Sequence, residues 1–326
     1  MLRRTALASF SGGIAALATG STRAQAYPSK SITMVVPFAA GGPTDLMARL
    51  VGERMGKELG QQIIIDNTTG AAGTIAVGKV ARAAPDGYTI SIGHLGTHVA
   101  NGSIYKTLTY NLLTDFEPVA RLPSNPMLVV TSNAVAAKTL KDVVEYLKAN
   151  PDKVSGGTAG VGSASHLGAL AFFAATGARF QLVPYRGTGP AMQDLIANQI
   201  QIMIDQSSNS LPHVRAGKVR AYAVTAQARS AAAPEIPTAA EAGYPMEVAI
   251  WHGLWAPKGT PVEIIARLNA AAVATIQDPD IRKRMEDLGQ DLPTPAEMAP
   301  ATFGAFHKAE FAKWKTILEE ANVKVE

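Results

Sequence analysis

Short apolar, β-branched runs alternate with runs of helical period along most of this chain. Ile32–Val36, Gln62–Ile65, Tyr88–Ile92, Met127–Thr131, Gln181–Pro184, Ile200–Ile204 and Val219–Thr225 predict strands. Thr44–Leu59 predicts a helix with Leu46, Leu50, Val51 and Met55 on one stripe. Three later helices are marked by their starts. Thr260-Pro261-Val262-Glu263 and Thr294-Pro295-Ala296-Glu297 each place a Thr cap, a Pro at the first position and a Glu three after the cap. Thr139 is a plainer cap before Leu140–Lys148. Strand and helix alternating in this way predict an α/β protein with largely parallel sheets. Pro/Gly-rich turns at 123–126 and 234–245 bracket a segment of about a hundred residues, a normal domain size, that begins and ends on a strand. The expected organisation is one lobe formed by residues 27–125 and 229–326, with a second α/β lobe, 126–228, inserted into it on two crossover strands that act as hinge.

Residues 1–26 read as a removable export signal. Arg3 and Arg4 make a charged start, Thr5–Gly20 is weakly apolar and acid-free, and Ala24-Gln25-Ala26 is a cleavage site before Tyr27. The Arg pair admits the twin-arginine route beside the general secretory one. The leader holds three of the 30 basic residues and no acid, so the remainder, against 26 acidic residues, is close to neutral. Nothing in that balance drives binding to nucleic acid or an anionic membrane. The absence of cysteine excludes a disulfide framework, a zinc–thiolate site, a cysteine nucleophile and a lipidated cysteine anchor. No apolar run after the leader reaches membrane-spanning length, so the expected location is the periplasm.

Candidate chemistry sits where strands end. Ala39-Ala40-Gly41-Gly42-Pro43-Thr44-Asp45 and the glycine-rich run from Ser155 to His166 each precede a helix, and such loops can bring backbone N–H groups and a positive helix end to an anion. Tyr185–Pro190 and Asp205–Asn209 are two further loops of this kind. Ligands of open parallel sheets lie beyond the carboxyl ends of the strands, so these loops belong to one mouth if the lobes face each other. No nucleotide motif is matched, and no cofactor is expected: Gly56-Lys57, Gly78-Lys79 and Gly217-Lys218 lack the following Ser or Thr of a phosphate loop.

Ser163, Ser165, His166 and Asp205 admit a hydrolase, but Gly-x-Ser-x-Gly is absent and a helix cap explains the serines. His94 and His98 have a spacing that suits a metal, yet Gly96 lies between them with no nearby carboxylate, so no metal site is expected. Trp251 reads first as core, though it stands beside His252 and Gly253, where a ligand can approach closely. Arg186 suits either a carboxylate partner or a solvated charge.

A further set of motifs runs through the chain in order: Tyr27-Pro28, Val36-Pro37-Phe38-Ala39-Ala40-Gly41-Gly42 with Asp45, Pro85-Asp86-Gly87-Tyr88, Gly160-Val161-Gly162-Ser163 with His166-Leu167, and Pro184-Tyr185-Arg186-Gly187. Ala216–Arg220, Pro237-Thr238 with Glu241-Ala242-Gly243, and Ala256–Pro261 continue it. Together they resemble one family, the extracytoplasmic solute receptors of tripartite tricarboxylate transporters, often called Bug receptors. The resemblance implies a two-lobed clamshell of the type II periplasmic-binding-protein kind that closes over a small carboxylic acid, performs no catalysis, and delivers the acid to membrane permease subunits. A sensor served by the same pocket is an alternative partner. Carried over residue by residue, the ligand contacts fall on Phe38, Ala39, Ala40, Gly41, Thr44 and Asp45 of one jaw and on Gly162, Ser163, Ser165 and His166 of the other. Asp205 matches a position facing the cleft, where it would take an ammonium or hydroxyl. His94 and His252 stand at variable positions that can tune specificity.

Overall fold

The computed structural model describes residues 27–320, and the expected leader lies outside them. Strand β1 (Ile32–Val36) is flanked in parallel by β2 (Ile63–Asn67) and β3 (Thr89–His94). An antiparallel strand, β9 (Ala249–Pro257), joins β3 to the long β4 (Phe116–Ser132). Beyond Pro126, β4 changes partners: Met127–Thr131 pair with β7 (Ile202–Gln206) and Leu128–Ser132 with β8 (Val219–Val224). Parallel strands β5 (Ser155–Thr158) and β6 (Gln181–Pro184) complete this second half. The molecule is a two-lobed clamshell with β4 running through both lobes.

The period of two assigns each strand's side chains to opposite layers. Ile32, Met34 and Val36 face one core with α1 (Pro43–Leu59), α8 (Val262–Gln277), α9 (Pro279–Asp287) and α10 (Pro295–Met298), whereas Val35 faces the other. That other core holds α2 (Thr74–Ala81), α3 (Asn101–Ile104) and α11 (Pro300–Glu320), and continues without a break into the second lobe over α4 (Leu140–Ala149) and α5 (Ala164–Thr176). Leu128 and Val130 turn to the opposite face, under α6 (Thr188–Ile196) and α7 (Ser207–Arg215). Each fully buried Val, Leu or Ile contributes about 1.5–3 kcal/mol.

The crossover point is tied by Thr225. Its backbone N–H donates to Met127 O at 2.8 Å, and its Oγ1 accepts from Met127 N at 2.9 Å and donates to Val248 O at 2.6 Å.

Three local expectations change. The turn expected at 123–126 is instead part of β4, with the prolines accommodated at register shifts next to Pro118 and Pro123, where a ladder donor is not required. Gly156 and Gly157 belong to β5 and not to the loop: a Cβ on Gly156 would meet the Phe180 ring at 2.3 Å, and one on Gly157 would meet Ile200 and Ala191 at 2.7 and 2.8 Å. Thr260 does not cap α8, because its buried hydroxyl donates back to Pro257 O at 2.7 Å. Thr139 and Thr294 do cap, each in a reciprocal box with the residue three later.

Candidate functional site

The carboxyl ends of β1, β5, β6 and β7 feed α1, α5, α6 and α7, and the starts of these four helices meet at one narrow cavity between the lobes. Gly42, Pro43 and Thr44 line it from α1, Ser163, Ala164 and Ser165 from α5, Thr188 from α6, and Gln206 from α7. Phe38, His94 and Ala159 complete the wall, so no Asp, Glu, Lys or Arg lines it. No side chain caps α1, α6 or α7, and Pro43 removes one amide at the start of α1 that would have needed a partner. The cavity therefore lies in the positive field of four helix ends and has no cation in its wall.

The jaws are in contact. Ala39 N donates to Arg186 O at 3.0 Å, and a Cβ on Gly189 would meet Gly41 C at 2.8 Å and Ala40 O at 2.9 Å. On the opposite rim Tyr105 Oη donates to Val161 O at 3.0 Å.

On the first jaw, Phe38 and Thr44 line the cavity, and Ala39 makes the backbone bridge across it. Asp45 is turned beneath the loop. Its Oδ2 accepts from Gly41 N and Arg49 Nε, each at 2.9 Å, and its Oδ1 accepts from Asn67 Nδ2 at 2.9 Å. Burial opposes its charge, but Arg49, the Gly41 amide and Asn67 outweigh burial and hold the carboxyl below its ordinary range. Asp45 thus fixes Gly41, whose φ of 84° suits a residue without Cβ.

On the second jaw, Ser163 caps α5, with Oγ accepting from His166 N at 3.4 Å and lying 3.2 Å from Ser165 Oγ. Ser165 Oγ accepts from Ala159 N at 2.9 Å. Gly162 N donates to His166 Nδ1 at 3.3 Å, and burial keeps that imidazole neutral. The imidazole therefore makes no hydrogen bond to Ser163 or Ser165 among the described contacts, and the nucleophile–base pair of a hydrolase is not assembled.

His94 is stacked on Phe38 with ring centroids 5.2 Å apart and accepts from Gly96 N at Nδ1, which leaves Nε2–H as its donor. Burial first, then His252, lowers its pKa well below the ordinary value. His252 Nε2 lies 3.3 Å from Thr44 Oγ1, and burial brings that imidazole down to about 4. His98 is elsewhere, stacked on Trp255 at 3.7 Å, and among the described residues no cluster of three His, Asp or Glu could hold a metal.

Asp205 is fully buried behind Gln206, with Oδ2 accepting from Asn209 Nδ2 and Ser210 Oγ at 2.7 Å each and Oδ1 without a protein partner. Burial pushes its carboxyl up to about 6 against the lowering effect of Ser210, Asn209, the Gln206 backbone and Thr188. Trp251 is not brought to the cavity. It packs among Trp255, Phe303 and Phe306, and its Nε1 donates to Glu310 Oε2 at 3.0 Å. Arg186 contributes its carbonyl, and the residue is exposed. Thr188 and Gln206 also line the cavity; they belong to the loops Tyr185–Pro190 and Asp205–Asn209 expected at the mouth, although neither is among the expected ligand contacts.

Known proteins share this arrangement. Solved structures that resemble this chain include the periplasmic binding protein BugD, at 40% identity and a TM-score of 0.88 over 92% of this chain and 100% of that one. Another is MatC of Rhodopseudomonas palustris with bound malate, at 41% identity and a TM-score of 0.86 over 90% and 100%. A UPF0065 protein of Agrobacterium vitis is 40% identical over 297 residues, 90% of this chain and 85% of its own. Among the described residues no helix is long and apolar enough to cross a membrane. With residues 47–323 matching the tripartite tricarboxylate transporter family receptor, and with a clamshell whose helix starts converge between its lobes, the chain belongs to that family of solute-binding receptors.

Proposed function

We propose that this protein is a periplasmic receptor without catalytic activity that captures a small carboxylic acid between its lobes and hands it to the membrane permease of a tripartite tricarboxylate-type transporter. The observation that carries this reading is the convergence of four helix starts on a cavity without a charged wall residue. Three or four charge-assisted hydrogen bonds at about 1.5–3 kcal/mol each, with up to about 2 kcal/mol from a helix end, reach the roughly 8 kcal/mol of a micromolar complex. MatC, which carries malate, makes a C4 hydroxy-dicarboxylate the first probe.

We assign the ligand carboxylate to the Phe38–Thr44 loop, and to Gly162, Ser163 and Ser165 with His166 behind them. His94 and His252 are assigned to the far end of the ligand, and Asp205, buried behind Gln206, to positioning the start of α7. Asp45 positions the first loop. The lobes divide at 126 and 228, so that 27–125 with 229–326 closes on 126–228, and export follows cleavage after Ala26. Delivery to a permease rather than to a sensor follows the family and is checked by recovering membrane partners with and without ligand.

Calorimetric titration of residues 27–326 with L-malate, then with other di- and tricarboxylates, amino acids and aromatic acids, is the direct test. The expected result is saturable one-to-one binding near micromolar by one chemical class, with the ligand recovered unchanged. Ligand recovered chemically altered, or no binding by any class to refolded native protein, would overturn the reading.

A further inference from the structure

Four consecutive residues at the cleft rim have positive φ: Gly70 (126°), Ala71 (45°), Ala72 (47°) and Gly73 (92°). Two of the four are alanines, for which this left-handed region carries a real cost. The turn is wedged into the first lobe. A Cβ on Gly73 would meet Thr97 Cγ2 at 2.7 Å and Pro37 Cβ at 2.8 Å, and Phe38 Cζ lies 3.7 Å from the same point. Asn101, fully buried, donates from Nδ2 to Ala72 O at 3.0 Å.

The other side of the turn meets the second lobe. A Cβ on Gly160 would find the N and Cβ of Ala72 at 3.7 Å, and one on Gly162 would strike Asn101 Oδ1 at 2.3 Å. That Oδ1 is buried and has no protein hydrogen-bond partner. A single asparagine therefore holds the strained turn with one end of its amide and abuts the glycine loop of the opposite jaw with the other. Phe38 in turn connects the turn to the cavity wall.

We propose that the Gly70–Gly73 turn and Asn101 form a closure latch. The left-handed turn is held while the second lobe's glycine loop is seated on Ala72 and Asn101, and it relaxes towards negative φ when the lobes part. Its strain then opposes closure, and Asn101 is a positioning residue that sets the balance of open and closed forms without touching the ligand. The latch rests on the reading that the lobes open and close around an acid.

The chain has no cysteine, so Lys57→Cys and Lys141→Cys on exposed helix positions of the two lobes give a unique spin-label pair. Ala72→Gly removes strain from the closed form alone. The expected result is a larger closed population in the label–label distance distribution and malate binding about fivefold tighter. Asn101→Ala should act in the opposite sense on both readouts. If Asn101→Ala fails to fold, Ala72→Gly decides alone. An Ala72→Gly protein that melts higher while its distances and malate affinity stay at wild-type values carries the same strain open and closed, and the latch is overturned. Distances that respond in a protein that does not bind malate support the latch and remove the malate reading instead.

Discussion

Asp205 shows how a buried acid can be held in place and still be electrostatically uncomfortable. Two short donors fix one oxygen and the other is left bare, and burial outweighs those donors and pushes the carboxyl up to about 6 against an ordinary 3.8. Between those values the native state holds more protons than the unfolded chain, so this group's contribution to stability falls as pH rises from about 4 to 6. Above that window the loss is about 3 kcal/mol relative to acid conditions. The buried imidazoles of His94, His98, His166, His252 and His307 run the other way. Their neutral native state contributes stability that is full above about pH 6.5 and is lost as pH falls through their depressed native values. Comparing Asp205→Asn with wild type isolates the first effect. The variant should be up to about 3 kcal/mol more stable at pH 7.5, with the gain disappearing near pH 4, as read from urea midpoints. A gain independent of pH would show that the carboxyl titrates alike in the folded and unfolded chain, so that burial does not raise it.

Among the elements, α5 separates structural capping from ligand capture. Ser163 caps α5 at the cavity, whereas Thr139 caps α4 in a box with Asp142 and is not part of the cavity wall. Ser163→Ala and Thr139→Ala should each cost about 1 kcal/mol of stability. Only Ser163→Ala should also weaken malate binding, by roughly tenfold for one lost donor. Equal affinities in the two variants would take Ser163 out of the ligand contacts.

The elements also show what was legible beforehand. β1 and β6 fall where alternation put them, and α1 starts one residue before its expected Thr44 because Pro43 fits a first turn. The first half of β4 was unreadable because Pro118, Pro123 and Pro126 are turn signals, and only the pairing with β9 shows register shifts beside Pro118 and Pro123 and Pro126 in register with Ala249. β5 was hidden for the converse reason: its two glycines are demanded by the Phe180 ring and by Ile200 and Ala191, contacts that no local pattern announces. Within the site, the glycine loops were visible as chemistry. Thr188 and Gln206 stood at the expected mouth only as members of their loops, and it took the fold, setting α6 and α7 beside α1 and α5, to put these two residues in the cavity wall.

At the scale of the molecule, β4 and the core layer under α2, α11, α4 and α5 run through both lobes, and Thr225 pins the return crossing to the outgoing one. At the rim the jaws meet through backbone and glycine on one side and through Tyr105 Oη on Val161 O on the other. The charge-free cavity wall has a further consequence, for ionic strength. Surface ion pairs fade as the Debye length contracts from about 30 Å in 0.01 M salt to about 3 Å in 1 M, but dipoles sealed between two closed lobes are screened far less. Malate affinity should change by less than about threefold over that range, measured by calorimetry in sodium chloride. A steep loss would bring exposed cations such as Arg186 into the binding energy. Constancy would mean that the receptor reads the concentration of its acid and is nearly blind to the salt around it.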